Sequence, residues 1–337
     1  MKRARFQRLR VRSALCDCRE AAGRCAAIAV VSALAWSTAA CANPEAQTSQ
    51  VIRIAGFNPL ADALATTLGE EFPDITFELP GAPSIISGGV ANMQALQGRT
   101  ADLGLTFSNV AYTGYIGRLD GSLERLDRVR GIAVLYLTPA HLVVRGDSPI
   151  HTLADLRGRV VAAGRPGSGT PLTSALVMRA VGLSEKDISQ EWLTFTEAAD
   201  RLIRGELDAM FVNQGYPSES VRTVMQAGAR LLDLAGPPIE RLRSQYPFLR
   251  AALIPEHTYP GQRSIVRTIG IDTLLVCRAD LDEALVHRIT QVLFATLPAL
   301  AIKVPALRHM ELERAAAMPI PLHPGAARYY REQELSR

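Results

Sequence analysis

A pattern that occurs twice in the chain constrains the fold more than any other feature of the sequence. Residues 96–105 read LQGRTADLGL and residues 203–212 read IRGELDAMFV. Each segment predicts the end of a helix, a glycine that stops it, an aspartate and a strand. Alternation of helix and strand is typical of α/β folds whose sheets are mostly parallel. The repeat favours two similar lobes, although a helix–glycine–strand connection is also common in a single α/β domain.

Short apolar runs elsewhere extend this alternation. They predict strands at residues 51–55, 75–79 and 103–107 and helices at residues 59–71 and 90–97. Two longer apolar runs, residues 135–144 and 269–276, predict strands that cross between the lobes, and residues 281–297 predict an amphipathic helix that returns to the first lobe. We therefore expect a two-lobed α/β fold in which each lobe is a mostly parallel sheet flanked by helices and two crossover strands join the lobes.

The length of 337 residues is enough for about two domains. We assign the domains as follows: a signal peptide at residues 1–42, a tether at 43–50, the first part of lobe I at 51–140, lobe II at 141–270, and the return to lobe I with C-terminal helices at 271–337.

The basic charge of the chain is concentrated at its N-terminus. The whole sequence carries 37 Lys and Arg against 33 Asp and Glu, but residues 1–42 hold eight of the basic residues and two of the acidic ones. An apolar run at residues 26–36 and small residues at 37–42 follow, which is the order of a secretory signal peptide. The run is too short to span a bilayer. We therefore predict a periplasmic protein with a nearly neutral mature chain and no nucleic-acid partner.

Two interpretations of the cleavage site stay open. Residues 38–41 (TAAC) resemble a lipobox, which would place a lipid anchor on Cys41, although such boxes usually carry leucine where Thr38 stands. Cleavage before Asn43 fits equally well. The remaining cysteine, Cys277, lies in an apolar run and is predicted to be a buried thiol, so no disulfide framework is expected.

A glycine-rich loop is the strongest local signal for a binding site. Residues 160–171 read VVAAGRPGSGTP, and a helical segment follows from residue 172. A strand, a glycine loop and a helix N-terminus together attract anions through free N–H groups and the helix dipole. Thr170 stands where a nucleotide-binding P-loop needs lysine, so we predict a small anion such as a carboxylate, not a nucleoside triphosphate. The alternative is a loop that only caps its helix.

Further candidate ligand contacts lie at a second glycine loop, at the first loop and at the strand ends. Residues 84–92 (SIISGGVAN) repeat the anion argument with Ser87 as a helix cap, and residues 56–58 (GFN) follow the first strand. The full set of predicted ligand-binding residues is Phe57, Asn58, Ser87, Asn92, Ser108, Asn109, Ser168, Gly169, Thr170, Asn213, Gly215 and Tyr216.

Motifs for catalysis and metal binding are missing from the sequence. It contains no G-x-S-x-G elbow, no H-E-x-x-H and no complete dinucleotide fingerprint, and its six histidines lack metal-ligand spacing. We therefore predict a protein that is not an enzyme and that uses no cofactor and no metal. The Arg-Gly-Asp at residues 145–147 follows a predicted strand and is interpreted as a turn.

Several segments, taken in order, resemble one family of receptors. Residues 148–160 are similar to extracytoplasmic solute-binding proteins of the type II periplasmic-binding-protein fold. Further segments resemble the TAXI receptors of TRAP (tripartite ATP-independent periplasmic) transporters: residues 87–92, 101–104, 164–170, 195–200, 205–209, 215–217, 246–248, 254–255, 258–262 and 268–270. They span nearly all of residues 51–300, and the first loop, at residues 55–61, departs from the glycine- and threonine-rich stretch usual in that family.

The resemblance implies a periplasmic receptor that closes two lobes around a small anionic solute, such as a carboxylate or glutamate. It would pass this solute to the membrane permease of a TRAP transporter without transforming it. Three alternatives remain: the binding subunit of an ABC importer, a ligand sensor for a membrane kinase, and an enzyme built on the same two-lobed scaffold.

Overall fold

The computed structural model describes residues 50–57, 59–79, 88–119 and 124–335. The predicted signal peptide and Cys41 lie outside the described residues, as do Asn58, Ser87 and all of the predicted tether except Gln50. The described strands are β1 Gln50–Ala55, β2 Ile75–Glu78, β3 Leu103–Phe107, β4 Val129–Val144, β5 Val160–Ala162, β6 Ser189–Glu191, β7 Ala209–Asn213, β8 Arg230–Leu232, β9 Leu249–Ile254 and β10 Val266–Arg278.

Helices alternate with these strands. They are α1 Leu60–Glu71, α2 Gly89–Gln97, α3 Ser108–Tyr115, α4 Thr170–Ala180, α5 Phe195–Ile203, α6 Glu219–Gln226, α7 Pro237–Gln245, α8 Glu283–Ala295, α9 Leu297–Lys303 and α10 Pro324–Leu335. Within the described residues, no single helix is long and apolar enough to cross a membrane, and one pair, α8 with α9, passes that test only when its 67° bend is ignored.

The described strands form one sheet whose centre is two long strands. Their order is β2-β1-β3-β10-β4-β7-β5-β6, with β8 paired to β4 and β9 paired to β10. Strands β2, β1 and β3 are mutually parallel, and so are β6, β5 and β7. Between these two sets, β4 and β10 run antiparallel to each other and to their neighbours. The two predicted crossing strands are thus confirmed, each longer than expected.

Helices cover both faces of the sheet, so each set of parallel strands has two hydrophobic cores. Beside β1 and β3, one core is closed by α1 and α8 and the other by α2 and α3. In β7, Ala209 and Phe211 face the core beneath α4 and α7, while Met210 and Val212 face the core beneath α5 and α6. This alternation is the two-residue period of a strand that is buried on both sides. The α/β fold with a central sheet flanked by helices is confirmed.

We call the strands β1–β3 with their two cores the first half, and the strands β5–β7 with theirs the second half. Residues 48–337 form one compact unit. The lobe boundaries at residues 140 and 270 therefore stay a prediction.

Several element boundaries differ from the expectations, and each has a local cause. Helix α4 begins at Thr170, two residues before the predicted start, because Gly169 already has helical backbone angles and Pro171 fits the first turn. The predicted helix over residues 281–297 is divided between α8 and α9, since Pro298 lacks the N–H that would continue α8. Ser108 and Asn109, expected at a strand end, are the first residues of α3.

Candidate functional site

Asn109 connects the first half to the N-terminus of α4. Its amide nitrogen Nδ2 donates to the carbonyl oxygen of Gly169 at 2.8 Å and to the hydroxyl Oγ1 of Thr173 at 3.1 Å. Its Oδ1 accepts the backbone N–H of Val110 at 2.8 Å, which fixes the orientation of the amide. The start of α3 and the start of α4, 60 residues apart in the chain, are therefore in direct contact.

Asn213 joins the same group of residues from the end of β7. Its Nδ2 donates to Thr173 Oγ1 at 2.8 Å, and the side chain is buried. We call Asn109, Gly169, Thr173 and Asn213 the asparagine cluster. Of these four, Asn109, Gly169 and Asn213 were predicted as ligand contacts and the structure brings them together. Thr173 was missed, although its position one helical turn after Gly169 could have indicated it.

The two predicted glycine loops touch each other. The backbone N–H of Val90 donates to the carbonyl oxygen of Gly167 at 3.2 Å. A Cβ atom on Gly88 would lie 2.5 Å from that same oxygen, so only glycine allows this approach. Within the loop at residues 160–171, Gly164 has a φ of +96°, and a Cβ there would lie 2.5 Å from the Cβ of Thr170. Both loops thus depend on glycine for their conformation.

The side chains of three other predicted residues donate hydrogen bonds to backbone carbonyl groups. The hydroxyl of Ser168 donates to the carbonyl of Arg165 at 2.7 Å. The amide of Asn92 donates to the carbonyl of Leu105 at 2.7 Å and so holds α2 against β3. The Ser108 hydroxyl donates to the carbonyl of Phe248 at 3.2 Å and accepts the backbone N–H of Asp272 at 2.9 Å. These residues position the elements around the asparagine cluster and lie outside its hydrogen bonds.

Aromatic side chains lie beside the cluster. Phe57 stacks on Phe107 with ring centroids 5.3 Å apart and planes inclined by 7°. Phe107, at the end of β3, packs against cores of both halves, a role that no pattern in the sequence indicates. Tyr216 contacts His309 at 6.4 Å between ring centroids, while Gly215 has open space around its Cα.

A network of charged side chains ties β9, β10 and the C-terminal segment together. Arg250 contacts Asp272 at 3.0 Å and Glu311 at 2.8 Å. Burial raises the pKa of the Asp272 carboxyl, and the neighbouring Arg250 guanidinium opposes that rise. The network lies next to Ser108, so the start of α3 is held from a second side.

Three cavities have none of the four cluster residues in their lining. One of about 500 Å³ is bordered by α2 with Leu119, Glu124, Leu126 and Arg128, one of about 480 Å³ by the Arg145–Asp147 turn, and one of about 230 Å³ by α4 and α7. Within the described residues, no group of three or more His, Cys, Asp or Glu side chains is placed to hold a metal ion.

The chemistry of the asparagine cluster is that of a neutral polar site. Two amides, one hydroxyl and the start of a helix can bind a polar solute through hydrogen bonds and the helix dipole. None of its four members has a titratable side chain, so the cluster itself supplies no general acid or base.

Residues 57–333 match the NMT1-like family. The chain belongs to this family. A solved structure of XAC2383 from Xanthomonas citri bound to ATP has a similar fold, with a TM-score of 0.50 at 17% identity, covering 85% of this NMT1-like chain and 96% of the other.

Two further structures are similar at lower TM-scores. One is the periplasmic aliphatic sulphonate binding protein SsuA from Escherichia coli, with a TM-score of 0.45 at 17% identity over 86% of this chain and 89% of that one. The other is an ancestral arginine-binding protein bound to arginine, with a TM-score of 0.46 at 15% identity over 77% of this chain and 95% of that one.

Proposed function

We propose that this NMT1-like family member is an extracytoplasmic solute-binding receptor for a small anionic organic solute, a carboxylate or an amino acid. The observation that carries the proposal is the asparagine cluster, in which the ends of β3 and β7 meet the start of α4. In open α/β sheets, ligands bind beyond the carboxyl ends of the strands. Membership of the NMT1-like family and a fold shared with XAC2383, a protein solved bound to ATP, support a role in binding a small solute.

The anionic group of the solute is held at the start of α4. Helix α4 begins without a side-chain cap, so the positive end of its dipole is available to a ligand. Gly169 and Thr170 of the second half form this helix start, and Gly88 and Asn109 of the first half lie close to it. A solute bound here would contact both halves at once.

Release and capture use the two long central strands as the hinge. Strands β4 and β10 are the elements of the sheet that connect its two parallel sets. Changes of a few backbone angles along them would separate the Gly88 loop from the Gly167 loop, as in hinge closure around a ligand. The solute leaves unchanged, because the role is transport and not turnover.

The exported receptor then passes its solute to the membrane permease of a TRAP transporter. The signal peptide at residues 1–42 directs the chain to the periplasm, where it is either anchored through Cys41 or released by cleavage before Asn43. The ordered segments that resemble TAXI receptors support the choice of a TRAP partner.

Calorimetric titration of the mature chain against carboxylates, amino acids and sulfonates tests the binding role. We expect at least one compound to bind, and Thr173→Val to weaken that binding about tenfold, because Thr173 accepts hydrogen bonds from both asparagines. The exposed His151→Gln serves as the matched control and should bind like the wild type. Failure of all three compound classes to bind would reject the proposal.

Uptake into membrane vesicles distinguishes the transporter partners. Receptor-dependent uptake without ATP, driven by an ion gradient, supports the TRAP permease. Uptake that requires ATP supports an ABC importer instead. A receptor whose removal alters gene expression but leaves uptake unchanged would be a sensor.

A further inference from the structure

One buried atom of the asparagine cluster has no hydrogen-bond partner among the residues that the structure describes. The Asn213 side chain is only 6% exposed, and its amide oxygen Oδ1 accepts no hydrogen bond from them. Buried polar atoms in folded proteins are almost always paired, so an exception inside a candidate binding site indicates a ligand atom that pairs with it.

The direction of the hydrogen bonds shows that this free atom is an acceptor. The Thr173 hydroxyl donates to the carbonyl of Gly169 at 3.2 Å, the carbonyl four residues earlier in α4. Its oxygen then accepts from Asn109 Nδ2, whose orientation is set by the Val110 N–H. With these directions Thr173 Oγ1 accepts its second hydrogen bond from Asn213 Nδ2, and Oδ1 is the atom left over among the described residues.

The position of Asn213 limits where the missing donor lies on the solute. Its amide reaches Thr173, which is three residues along α4 from Thr170 at the helix start. At a rise of about 1.5 Å per residue, this separation is roughly 4–5 Å. Each end of the solute is held through a hydrogen bond of about 3 Å, so a donor one or two carbons from an anionic group at the helix start can reach Asn213 across this separation.

We propose that Asn213 Oδ1 selects solutes that carry an N–H group one or two carbons from the anionic group, and that it discriminates against the same skeleton without nitrogen. The proposal rests on the proposed receptor function and narrows its solute class to amino- or amido-substituted anions. An N–H donor bound to a buried acceptor gives strong selectivity, because the solute that lacks it leaves the acceptor unpaired.

Titration of the mature chain with matched pairs tests the selection. Glutamate is compared with glutarate and taurine with ethanesulfonate, since each pair shares an anion and differs in the amino group. In the wild type we expect at least a tenfold preference for the amino member of the pair that binds. In Asn213→Leu the two members should bind with affinities that differ by less than about twofold, because only the amino member uses the Oδ1 acceptor.

Asn213→Asp keeps an acceptor at the same position and should retain the preference. If thermal denaturation shows that Asn213→Leu does not fold, the affinities of Asn213→Asp for the two members are the measurement that tests the proposal. Equal affinity for both members in the wild type, or a preference that persists in Asn213→Leu, would overturn the proposal. The receptor function itself is rejected only if all the carboxylates, amino acids and sulfonates fail to bind, whereas a solute that binds without any N–H group near its anion, and more tightly than its amino analogue, overturns the selection by Asn213 alone.

Discussion

His141 shows at the residue scale how burial changes an ordinary side chain. It lies in β4 with no exposed surface, its Nδ1 is 3.2 Å from the carbonyl oxygen of Val212 and its Nε2 is 2.9 Å from the hydroxyl of Tyr259. A carbonyl only accepts, so Nδ1 carries the proton and Nε2 accepts from the tyrosine. Burial is the main cause that lowers the pKa of His141 to about 4.

We predict that this histidine makes the fold sensitive to acid. The unfolded chain binds a proton at His141 below a pH of about 6.5, whereas the folded chain resists it down to about 4. The contribution of His141 to the free energy of unfolding is therefore fully present above pH 6.5. It falls by about 3 kcal/mol in all as the pH decreases from 6.5 to 4. Urea denaturation at a series of pH values measures this loss.

His141→Gln should flatten that part of the pH profile, at some cost in stability at pH 7. The exposed His151→Gln is the matched control and should follow the wild-type profile. An unchanged slope in His141→Gln would assign the acid sensitivity to other groups.

At the scale of elements, the two aspartates of the repeated sequence pattern, Asp102 and Asp208, make equivalent hydrogen bonds in the structure. The Asp102 carboxylate accepts the backbone N–H of Arg53 at 2.8 Å, and the Asp102 N–H donates to the Arg53 carbonyl at 2.8 Å. Asp208 makes the same two bonds with Val160, at 2.9 Å each. Each aspartate thus aligns its strand with the parallel strand beside it.

We predict that replacing either aspartate with alanine destabilises the fold unequally. Asp208→Ala should cost about 1.5–3 kcal/mol, since it removes a hydrogen bond from a backbone N–H to a charged acceptor. Asp102→Ala should cost more, because Asp102 also pairs with Arg278 at 3.3 Å and both side chains are largely buried. Chemical denaturation measures both, with exposed Asp74→Ala as the control. Equal, near-zero losses would contradict the structural role of the repeat.

Local patterns predicted β1–β5, β7, β10, the helices α1, α2, α4 and α8, and this repeat, but not the short strands β6 and β8, the strand β9 or helices such as α3, α6 and α7, because periodicity, glycine stops and β-branched runs act over a few residues. They also placed Asn109, Gly169 and Asn213 among the candidates. Phe107 and the Arg250–Asp272 pair could not be found this way. Their roles depend on which elements face each other across distant parts of the chain, and a single sequence does not contain that information.

At the scale of the whole molecule, the two halves are held together by contacts that differ in chemistry. Besides the central strands, these contacts include the close approach of Gly88 to the Gly167 carbonyl oxygen. They also include the hydrogen bonds from the Asn109 amide to the Gly169 carbonyl and from the Ser108 hydroxyl to the Phe248 carbonyl. Most are short-range polar contacts between loops or helix starts. Such contacts break cleanly when a hinge opens, whereas the sheet remains intact.

We predict that Gly88→Ala shifts the molecule towards a more open form. The new Cβ would meet the Gly167 oxygen at 2.5 Å, so the two loops must separate. Small-angle X-ray scattering should show a larger radius of gyration, and solute affinity should fall about tenfold, or 1.4 kcal/mol. The free energy of unfolding should change by less than about 1 kcal/mol.

Gly69→Ala is the matched control, since a Cβ on Gly69 meets nothing within 4 Å. It should leave the radius of gyration and the affinity unchanged and add up to about 1 kcal/mol of stability from helix propensity. A Gly88→Ala protein with wild-type dimensions and affinity would show that the loop contact has no influence on closure.

The path of the chain through the first half has a consequence for the order in which the protein is made. The core that buries Ile52 and Leu64 is completed by Val286 and Ile289 of α8, more than 200 residues later. The core around Phe211 is formed almost entirely by residues 140–271. Because the chain is synthesised from its N-terminus, the second half can fold first. Strand β1 and helix α1 can complete their core only after the last helices have been synthesised. The first two described elements of the chain, β1 and α1, are thus among the last to be buried.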